Sequence, residues 1–236
     1  MGGLPGWMPK LLERINWGCS TSPWFVDLAD DEKVILRGRR IVLDLWPFVR
    51  ELPQNIAAVR AAIPENMSAA LQLLDRLADS ERHYQKIFLR QFDLAGIEAE
   101  NINPEEKNPA TVQLCDVMSK MCRESRFVDG IHAIVAAELA ATMYCRAALP
   151  LYEKYFEKHA AEYEPQLIEE GLEWVRLHAK TQTRHAIWMK RMLTDIEGES
   201  SEEIPYAADM ALRAVLALWE CPAEVSHFDF ATSSIS

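Results

Sequence analysis

The chain has 236 residues, of which 49% are hydrophobic, and a formal net charge of −11. This length is sufficient for one sizeable hydrophobic core and requires no second domain. The negative charge excludes nucleic acid as the expected partner, because phosphate binding needs clustered Lys and Arg side chains and the sequence has no such cluster.

The five cysteines show no CxxC spacing, and their odd number leaves at least one unpaired. Such usage is typical of the reducing cytoplasm, where thiols serve as small core residues. The N-terminal residues lack a basic segment followed by a long apolar run, so we expect no signal peptide. No stretch approaches 18 uninterrupted apolar residues, so we expect a soluble cytoplasmic protein with no membrane partner.

The two ends of the chain differ in composition from its middle. Several Gly and Pro residues and three tryptophans predict an irregular arm over residues 1–29. Residues 30–220 carry helical patterns and are expected to form a single domain. The Ser/Thr-rich tail at 221–236 carries none, and we expect it to be disordered.

The first helical segment starts at the acidic side chains that follow Ala29. A helix is predicted from Asp30 to about Gly38, with negative charge at its positive end. Residues 39–63 are strongly apolar with helical spacing. Pro47 and Pro53 lie inside this run and predict a kinked or two-part helix.

The remaining segments are also helical in pattern. Asn66 is a good N-cap for a helix over 67–94, which Gly96 closes, and Pro150 is predicted to end another helix. Further helices are predicted over 109–125, 127–149, 151–160, 165–196 and 202–220. No β-type alternation or hairpin dipeptide is present. The predicted fold class is therefore all-α, with six to eight helices around one core.

Two histidines stand on one apolar face of the 165–196 helix. At about 100° per residue, His178, Gln182 and His185 share that face with Trp174 and Trp188. A buried imidazole needs a hydrogen-bond partner or a metal. The pair therefore indicates either ligands of a metal or satisfied core histidines.

Glu138 is an isolated carboxylate on the apolar helix 127–149. It lies on the same side as Ile131 and Val135, with no Lys or Arg within one turn. A carboxylate in this position is costly to bury ionised unless it meets a cation or accepts hydrogen bonds. It is either a ligand or catalytic group, or a solvated side chain at a groove.

Three weaker candidates lie on the 67–94 helix and one on the segment before it. Asp79 and His83 are four residues apart and share a face, whereas Glu81 does not. This segment is charge-rich, so a solvated face is the alternative. Glu51 is a further carboxylate that is either a ligand or an exposed residue.

Together, His83, Glu138, His178 and His185 would form a mixed nitrogen and oxygen ligand set from three helices. Imidazole plus carboxylate suits iron or manganese, and open coordination positions suit oxygen chemistry. The Glu-x-x-His spacing of ferritin-like sites occurs only at Glu224, in the tail.

The ligand order and its surroundings resemble the heme oxygenase-like di-metal oxidases, a group that includes a 1-undecene-forming fatty-acid decarboxylase. The resemblance covers roughly residues 40–195. It is carried by Trp46-Pro-Phe-Val, by the position of His83, by Ala136-Ala-Glu138, and by His178-x3-Gln182-x2-His185.

The resemblance implies a bundle of about seven helices that binds two irons, activates dioxygen and oxidises a small carboxylate or amino-acid-derived substrate. Glu138, His178 and His185 would be the catalytic ligands. The implied metal ligands are His83, Glu138, His178, His185, Gln182, Asp79, Glu81 and Glu51.

The sequence departs from the family pattern at three carboxylates. Gln182 replaces an Asp, Ser80 replaces the carboxylate three residues before His83, and Arg50 replaces a first-helix Glu, with Glu51 one residue along. Two iron ions need anionic ligands to offset their charge. A single iron is therefore the simpler expectation.

Three other readings stay open. A cofactorless oxidase would use His178 and His185 for proton transfer, and a metal-free binding protein would fit Gln182 and Ser80. The fold also accommodates haem. A thiaminase-like nucleophile requires a Cys followed four residues later by Tyr, whereas Cys145 is followed by Leu149. Residue spacing does not identify the small-molecule substrate, the metal or the oligomeric state. A homodimer is one of the alternatives.

Overall fold

The computed structural model describes residues 5–97, 108–180, 192–193, 196 and 202–220. Every regular element within these ranges is a helix and none is a strand, which confirms the all-α prediction. The elements are α1 (Met8–Thr21), α2 (Pro23–Leu28), α3 (Asp31–Ala62), α4 (Ser68–Leu94), α5 (Pro109–Ser119), a π-helix (Lys120–Glu124), α6 (Phe127–Lys158), a 3-10 turn (Ala160–Glu162), α7 (Pro165–Gly171), α8 (Glu173–Lys180) and α9 (Tyr206–Glu220).

The N-terminal segment is helical, so the prediction of an irregular arm is wrong for α1 and α2. Pro23 occupies the first turn of α2, where its missing N–H costs no hydrogen bond, and the Ser22 hydroxyl accepts from the Trp24 amide. Trp7 and Trp24 are completely buried, so this segment contributes to the main core. The Gly and Pro residues mark helix ends rather than an irregular chain.

The long helix α3 continues through both of its prolines, so the two-part alternative is wrong. The Asp30 carboxylate caps it by accepting from the Glu32 amide. Leu52, Ile56 and Val59 along its second half are buried. Burial of this apolar face outweighs the backbone hydrogen bonds that Pro47 and Pro53 remove.

Helix α6 forms the centre of the bundle and packs on α1, α3, α8 and α9. It continues through Pro150 to Lys158, so the prediction that Pro150 ends a helix is wrong for the same reason. Gly130 allows close packing on α3, because a Cβ there would lie 2.4 Å from Val59 Cγ2. In the described ranges α6 alone is long and apolar enough to cross a membrane by composition, but most of that stretch is buried in the bundle.

Smaller boundary differences occur at the other helices. Helix α4 begins after Met67 without a side-chain cap, so Asn66 is not its N-cap, whereas Gly96 with φ +62° follows its C-terminus as expected. The segment after Pro165 forms two helices, α7 and α8. Gly171 at the end of α7 packs directly on Leu94, which leaves no room for a larger residue.

Candidate active site

Three titratable side chains are buried on three neighbouring helices. Glu81 on α4, Glu138 on α6 and His178 on α8 are each only 3% exposed. Helix α8 packs on both α4 and α6, which brings the three elements together. Buried ionisable groups of this kind are candidates for a functional site.

Glu81 faces the interior because it occupies a core position of α4. The buried residues Leu74, Leu77, Ala78 and Phe88 precede and follow it at helical spacing. Glu81 therefore occupies a position on this buried helix face where an apolar side chain would be expected. The same pattern could have identified Glu81 from the sequence.

The Glu81 carboxylate lies in an unfavourable electrostatic environment. Burial raises its pKa well above the usual value, and the nearby charge of Glu138 raises it further. Its Oε1 atom has no hydrogen-bond partner among the described residues. Two adjacent buried carboxylates share a proton or bind a cation, because both cannot remain ionised without compensation.

The surroundings of Glu138 on α6 are apolar. Ile134, Val135 and Leu139 are all buried within the core. Two turns further along α6 lies Cys145, whose pKa is raised well above its usual value by burial and then by the charge of Glu138. The Cys145 thiol therefore stays protonated and is a poor nucleophile.

His178 is held in one orientation by its own helix. Its Nδ1 atom lies 3.0 Å from the carbonyl oxygen of Trp174. Since a carbonyl oxygen only accepts, Nδ1 carries a proton in this hydrogen bond. The ring packs on Trp174 and Tyr84, with centroid distances of 4.0 Å and 5.0 Å. A backbone carbonyl that fixes the tautomer in this way is common behind metal-binding histidines.

Contacts between α4 and α8 define their relative direction. Arg90 bonds to Glu173 at 2.7 Å, and Tyr84 contacts the His178 ring. The two helices are therefore antiparallel, with His178 about one turn from the level of Glu81. The C-terminal end of α8 points toward the level of the Glu81 carboxylate.

Three sequence candidates are placed differently from the Glu81–Glu138 pair. His83 is exposed, and Asp79 is exposed and pairs with Arg82. Both lie two residues from Glu81, about 200° around α4, so they face solvent when Glu81 faces the core. The structure does not bring His83 to Glu138. Glu51 is half-buried beside Arg50.

The predictions for Gln182, His185 and Trp188 lie outside the described residues and stay predictions. Within the described ranges, no group of three or more His, Cys, Asp or Glu side chains is close enough to hold a metal ion. The described part of the site therefore supplies a carboxylate pair and one neighbouring imidazole.

Three aromatic residues, Trp46, Phe88 and Trp174, form a packed cluster. Trp46 stacks on Phe88 with a centroid distance of 6.0 Å, and Trp174 meets the other side of Phe88 at 5.0 Å. Phe48 is buried. The cluster packs beside His178 and excludes water from that side.

One polar residue near the site was missed in the sequence. Asn55 on α3 is 1% exposed, and its Oδ1 accepts from Arg123 Nε of the π-helix at 2.9 Å. Its Nδ2 has no hydrogen-bond partner in the described structure. Arg60 of α3 bonds to Asp75 of α4. Asn55, five residues before Arg60, therefore lies near the level of Glu81, six residues after Asp75. The sequence could have identified Asn55 as a polar side chain on the apolar helix face that contains Leu52 and Val59.

A second buried polar residue, Asp44, is fully engaged within the fold. Its carboxylate accepts from Arg40 Nε at 2.6 Å and from Asn108 Nδ2 at 2.9 Å. Its backbone carbonyl accepts from Thr111. These bonds join α3 to the start of α5 and stabilise that junction.

Comparisons with known proteins support the architecture. A model of the TENA/THI-4/PQQC family matches residues 40–214. The chain is similar to a solved TenA homolog from Pseudomonas syringae pv. tomato strain DC3000, with a TM-score of 0.71 and 12% identity over 92% of this chain and 89% of that one. It is also similar to a Shewanella denitrificans OS217 domain of unknown function with a heme oxygenase-like fold, with a TM-score of 0.66 and 13% identity over 93% and 97%. No curated protein matches. The heme oxygenase-like fold implied by the sequence is confirmed.

Proposed function

The chain belongs to the TENA/THI-4/PQQC family, and we propose that it is an iron-dependent enzyme that uses dioxygen to oxidise a small carboxylate or amino-acid-derived molecule. The observation that carries the proposal is the buried Glu81–Glu138 pair. A pair of carboxylates in an apolar core is costly unless it serves a cation or a proton.

The donors present fit a divalent iron ion. Glu81 and Glu138 would supply anionic oxygens, and Oε1 of Glu81 has no hydrogen-bond partner within the described part of the chain. Gln182 and His185 are the further ligands that the proposal takes from the sequence, and His178 lies buried on the neighbouring helix α8. Imidazole and carboxylate ligands suit iron, which when bound would supply the activation of dioxygen.

The placement of His83 favours one iron over two. Its ring is exposed on the solvent side of α4, which removes one nitrogen donor from the implied set. With Gln182 in place of Asp, the remaining anionic ligands are Glu81 and Glu138. Two carboxylates balance the charge of one ferrous ion.

The side chains around the carboxylates have defined roles in this proposal. Glu81 and Glu138 would hold the cation in a buried region, where electrostatic interactions are strong. The Trp174 carbonyl keeps the proton of His178 on Nδ1 and directs Nε2 away from its own helix. Dry surroundings protect a reactive site from side reactions.

The test is metal content after purification with Fe(II) under anaerobic conditions. Glu81→Gln and Glu138→Gln are nearly isosteric, and we expect iron per chain to fall by about tenfold, as for the loss of one strong ligand. His83→Ala and Asp79→Asn are matched controls on the exposed side of α4 and should retain parental iron. Equal iron in the parent and in both Glu variants would refute the proposal.

A cofactorless reaction is the second candidate, and the same carboxylate pair favours it. A carboxyl group with a raised pKa beside a second carboxylate is suited to proton transfer. Oxygen consumption that survives exhaustive chelation but is lost in Glu81→Gln would select this mechanism. Absence of both iron binding and oxygen consumption would favour a metal-free binding protein, and a Soret band would indicate haem.

A further inference from the structure

Tyr84 is the neighbour of Glu81 on the inner side of α4. It follows Glu81 by three residues, and side chains at this spacing are neighbours on a helix surface, with Cβ atoms about 5–6 Å apart. Side chains of a helix lean toward its N-terminus, so the Tyr84 ring extends back over the turn that carries Glu81. Tyr84 is half-buried and packs against the core.

The Tyr84 ring also contacts helix α8. Its centroid lies 5.0 Å from that of the His178 ring, which is itself buried. Because α8 packs on both α4 and α6, this contact turns Tyr84 toward the interior of the bundle, whereas the adjacent His83 is exposed. Tyr84 therefore lies beside Glu81 and against His178, two residues of the proposed iron site.

The described part of the iron site needs a donor of another type. Among the described residues, no group of three His, Cys, Asp or Glu side chains is close enough to hold a metal ion. The carboxylates of Glu81 and Glu138 alone leave coordination positions of an iron ion open. A tyrosine oxygen is a known ligand of protein-bound iron. Tyr84 brings such an oxygen to the carboxylates.

The other five tyrosines of the chain lie away from the carboxylate pair. Tyr144 and Tyr152 hydrogen-bond to each other at 3.0 Å, and the Tyr144 ring packs against α2 and α9. Two more pack on Phe156, which follows Glu138 by eighteen residues on α6, or about 27 Å. The fifth is 71% exposed on α9. In this order, the five are Tyr144, Tyr152, Tyr155, Tyr163 and Tyr206.

We propose that the phenol oxygen of Tyr84 is a further ligand of the iron, next to the carboxylates of Glu81 and Glu138. This inference rests on the proposed function, because it needs an iron ion in the site. A phenol binds ferric iron as the phenolate: the Fe–O bond replaces the O–H bond, and the proton passes to the buffer. Three anionic oxygens then balance the charge of one ferric ion.

The probe is ferric iron, supplied to the full chain as the nitrilotriacetate complex, with unbound complex removed by gel filtration. A ferric phenolate absorbs visible light by charge transfer from the phenolate to the iron, whereas carboxylate and imidazole ligands give no such band. We expect the parent protein to show this band. Excitation within it should enhance phenolate ring vibrations in the resonance Raman spectrum.

Iron per chain, measured on the same sample, separates the two ways of failing. Bound iron without the visible band would overturn the assignment of Tyr84 and leave the proposed function standing. Absence of bound iron in the parent would overturn both.

The variant Tyr84→Phe keeps the ring that packs on His178 and removes the hydroxyl group alone. We expect it to lose the visible band per bound iron, while Glu81 and Glu138 still hold iron. A structural role of the ring would leave the band unchanged. The matched control is Tyr206→Phe, which changes an exposed tyrosine on α9 and should keep the band.

A band that survives in Tyr84→Phe would contradict the assignment. The parent spectrum provides the test if Tyr84→Phe does not fold, because the other five tyrosines lie away from the carboxylate pair. A phenolate signal in the parent therefore identifies Tyr84.

Discussion

The carboxylate of Glu81 lies close enough to that of Glu138 for the charge of Glu138 to raise the pKa of Glu81. In the metal-free protein this pair destabilises the fold at neutral pH, because one carboxyl group must either take up a proton far above its usual pKa or stay ionised beside the other. We predict that Glu81→Gln increases its free energy of unfolding by about 1 kcal/mol, because a neutral amide is easier to bury. Urea denaturation in the presence of chelator measures the change.

Urea denaturation with added Fe(II) should reverse the order of stability, so that the parent is more stable than Glu81→Gln. Ligand binding to the native state stabilises the parent, whereas Glu81→Gln lacks one donor and gains less. His83→Ala should behave like the parent under both conditions. A Glu81→Gln protein that is less stable than the parent without metal would show that the carboxylate is already compensated inside the fold.

His178 and His83 should differ strongly in their effect on stability. His178→Ala removes a buried ring that packs on Trp174 and Tyr84, and we expect a loss of about 2–4 kcal/mol. His83→Ala changes an exposed side chain and should stay within about 0.5 kcal/mol. Chemical denaturation of both variants measures the difference, and similar losses would contradict the placement of the two rings.

Asn55 and Arg123 should be energetically coupled. Arg123 Nε donates to Asn55 Oδ1 at 2.9 Å and joins the π-helix to α3. We predict that a double-mutant cycle of Asn55→Leu and Arg123→Met gives an interaction energy of about 0.5–3 kcal/mol. Additive effects in that cycle would mean that the bond contributes no net stability.

Acid should weaken the junction between α2 and α3. Burial raises the pKa of Asp27, but hydrogen bonds and the charges of Arg37 and Lys33 outweigh this, so the net pKa is lowered from 3.8. A lowered carboxyl pKa stabilises the fold above the unfolded value, and this stability is lost as the pH falls through the folded pKa.

We therefore predict that the stability of the parent falls below about pH 4, while Asp27→Asn shows a smaller pH slope there. At pH 7 the Asp27→Asn protein should be less stable than the parent, because the buried Arg37 loses its charged partner. Urea titrations between pH 7 and pH 3 measure both effects. Identical slopes for the two proteins would show that Asp27 does not carry this linkage.

The buried thiols should be unreactive in the native protein. Burial raises the pKa of Cys122 to about 12 and that of Cys145 well above its usual value. We predict that Ellman's reagent at pH 8 modifies neither residue before unfolding, with peptide mass spectrometry as the readout. Rapid native labelling of Cys145 would reopen the thiaminase-like alternative.

Local pattern predicted the helices after residue 30 but missed α1 and α2, and it placed helix limits wrongly at proline. The apolar spacing of 39–63 and 127–149 correctly predicted helix, yet Pro47, Pro53 and Pro150 all lie inside helices. A prediction from local sequence includes the hydrogen bond that a proline removes, but it does not include the apolar surface that the helix buries in the bundle.

The site shows the same division between local and tertiary information. Glu138 is distinctive within its own helix because it is a single carboxylate in an apolar run, so its sequence context identified it. Glu81 has the charged neighbours Asp79, Arg82 and His83, which made the apolar face of α4 hard to recognise, and its burial in the bundle shows that it is the one that faces inward. Helix rotation depends on packing partners distant in sequence.

The hydrogen bond from the Ser22 hydroxyl to the Trp219 carbonyl connects α2 to the end of α9, and Phe25 packs on the Trp219 ring. Both contacts lie outside residues 40–214, the span that the family match covers. A protein trimmed to that span would lose α1, α2 and the first turns of α3, together with the buried Trp7 and Trp24. The packed core therefore extends beyond the span of the family match, and the boundaries of a recombinant fragment should follow the core.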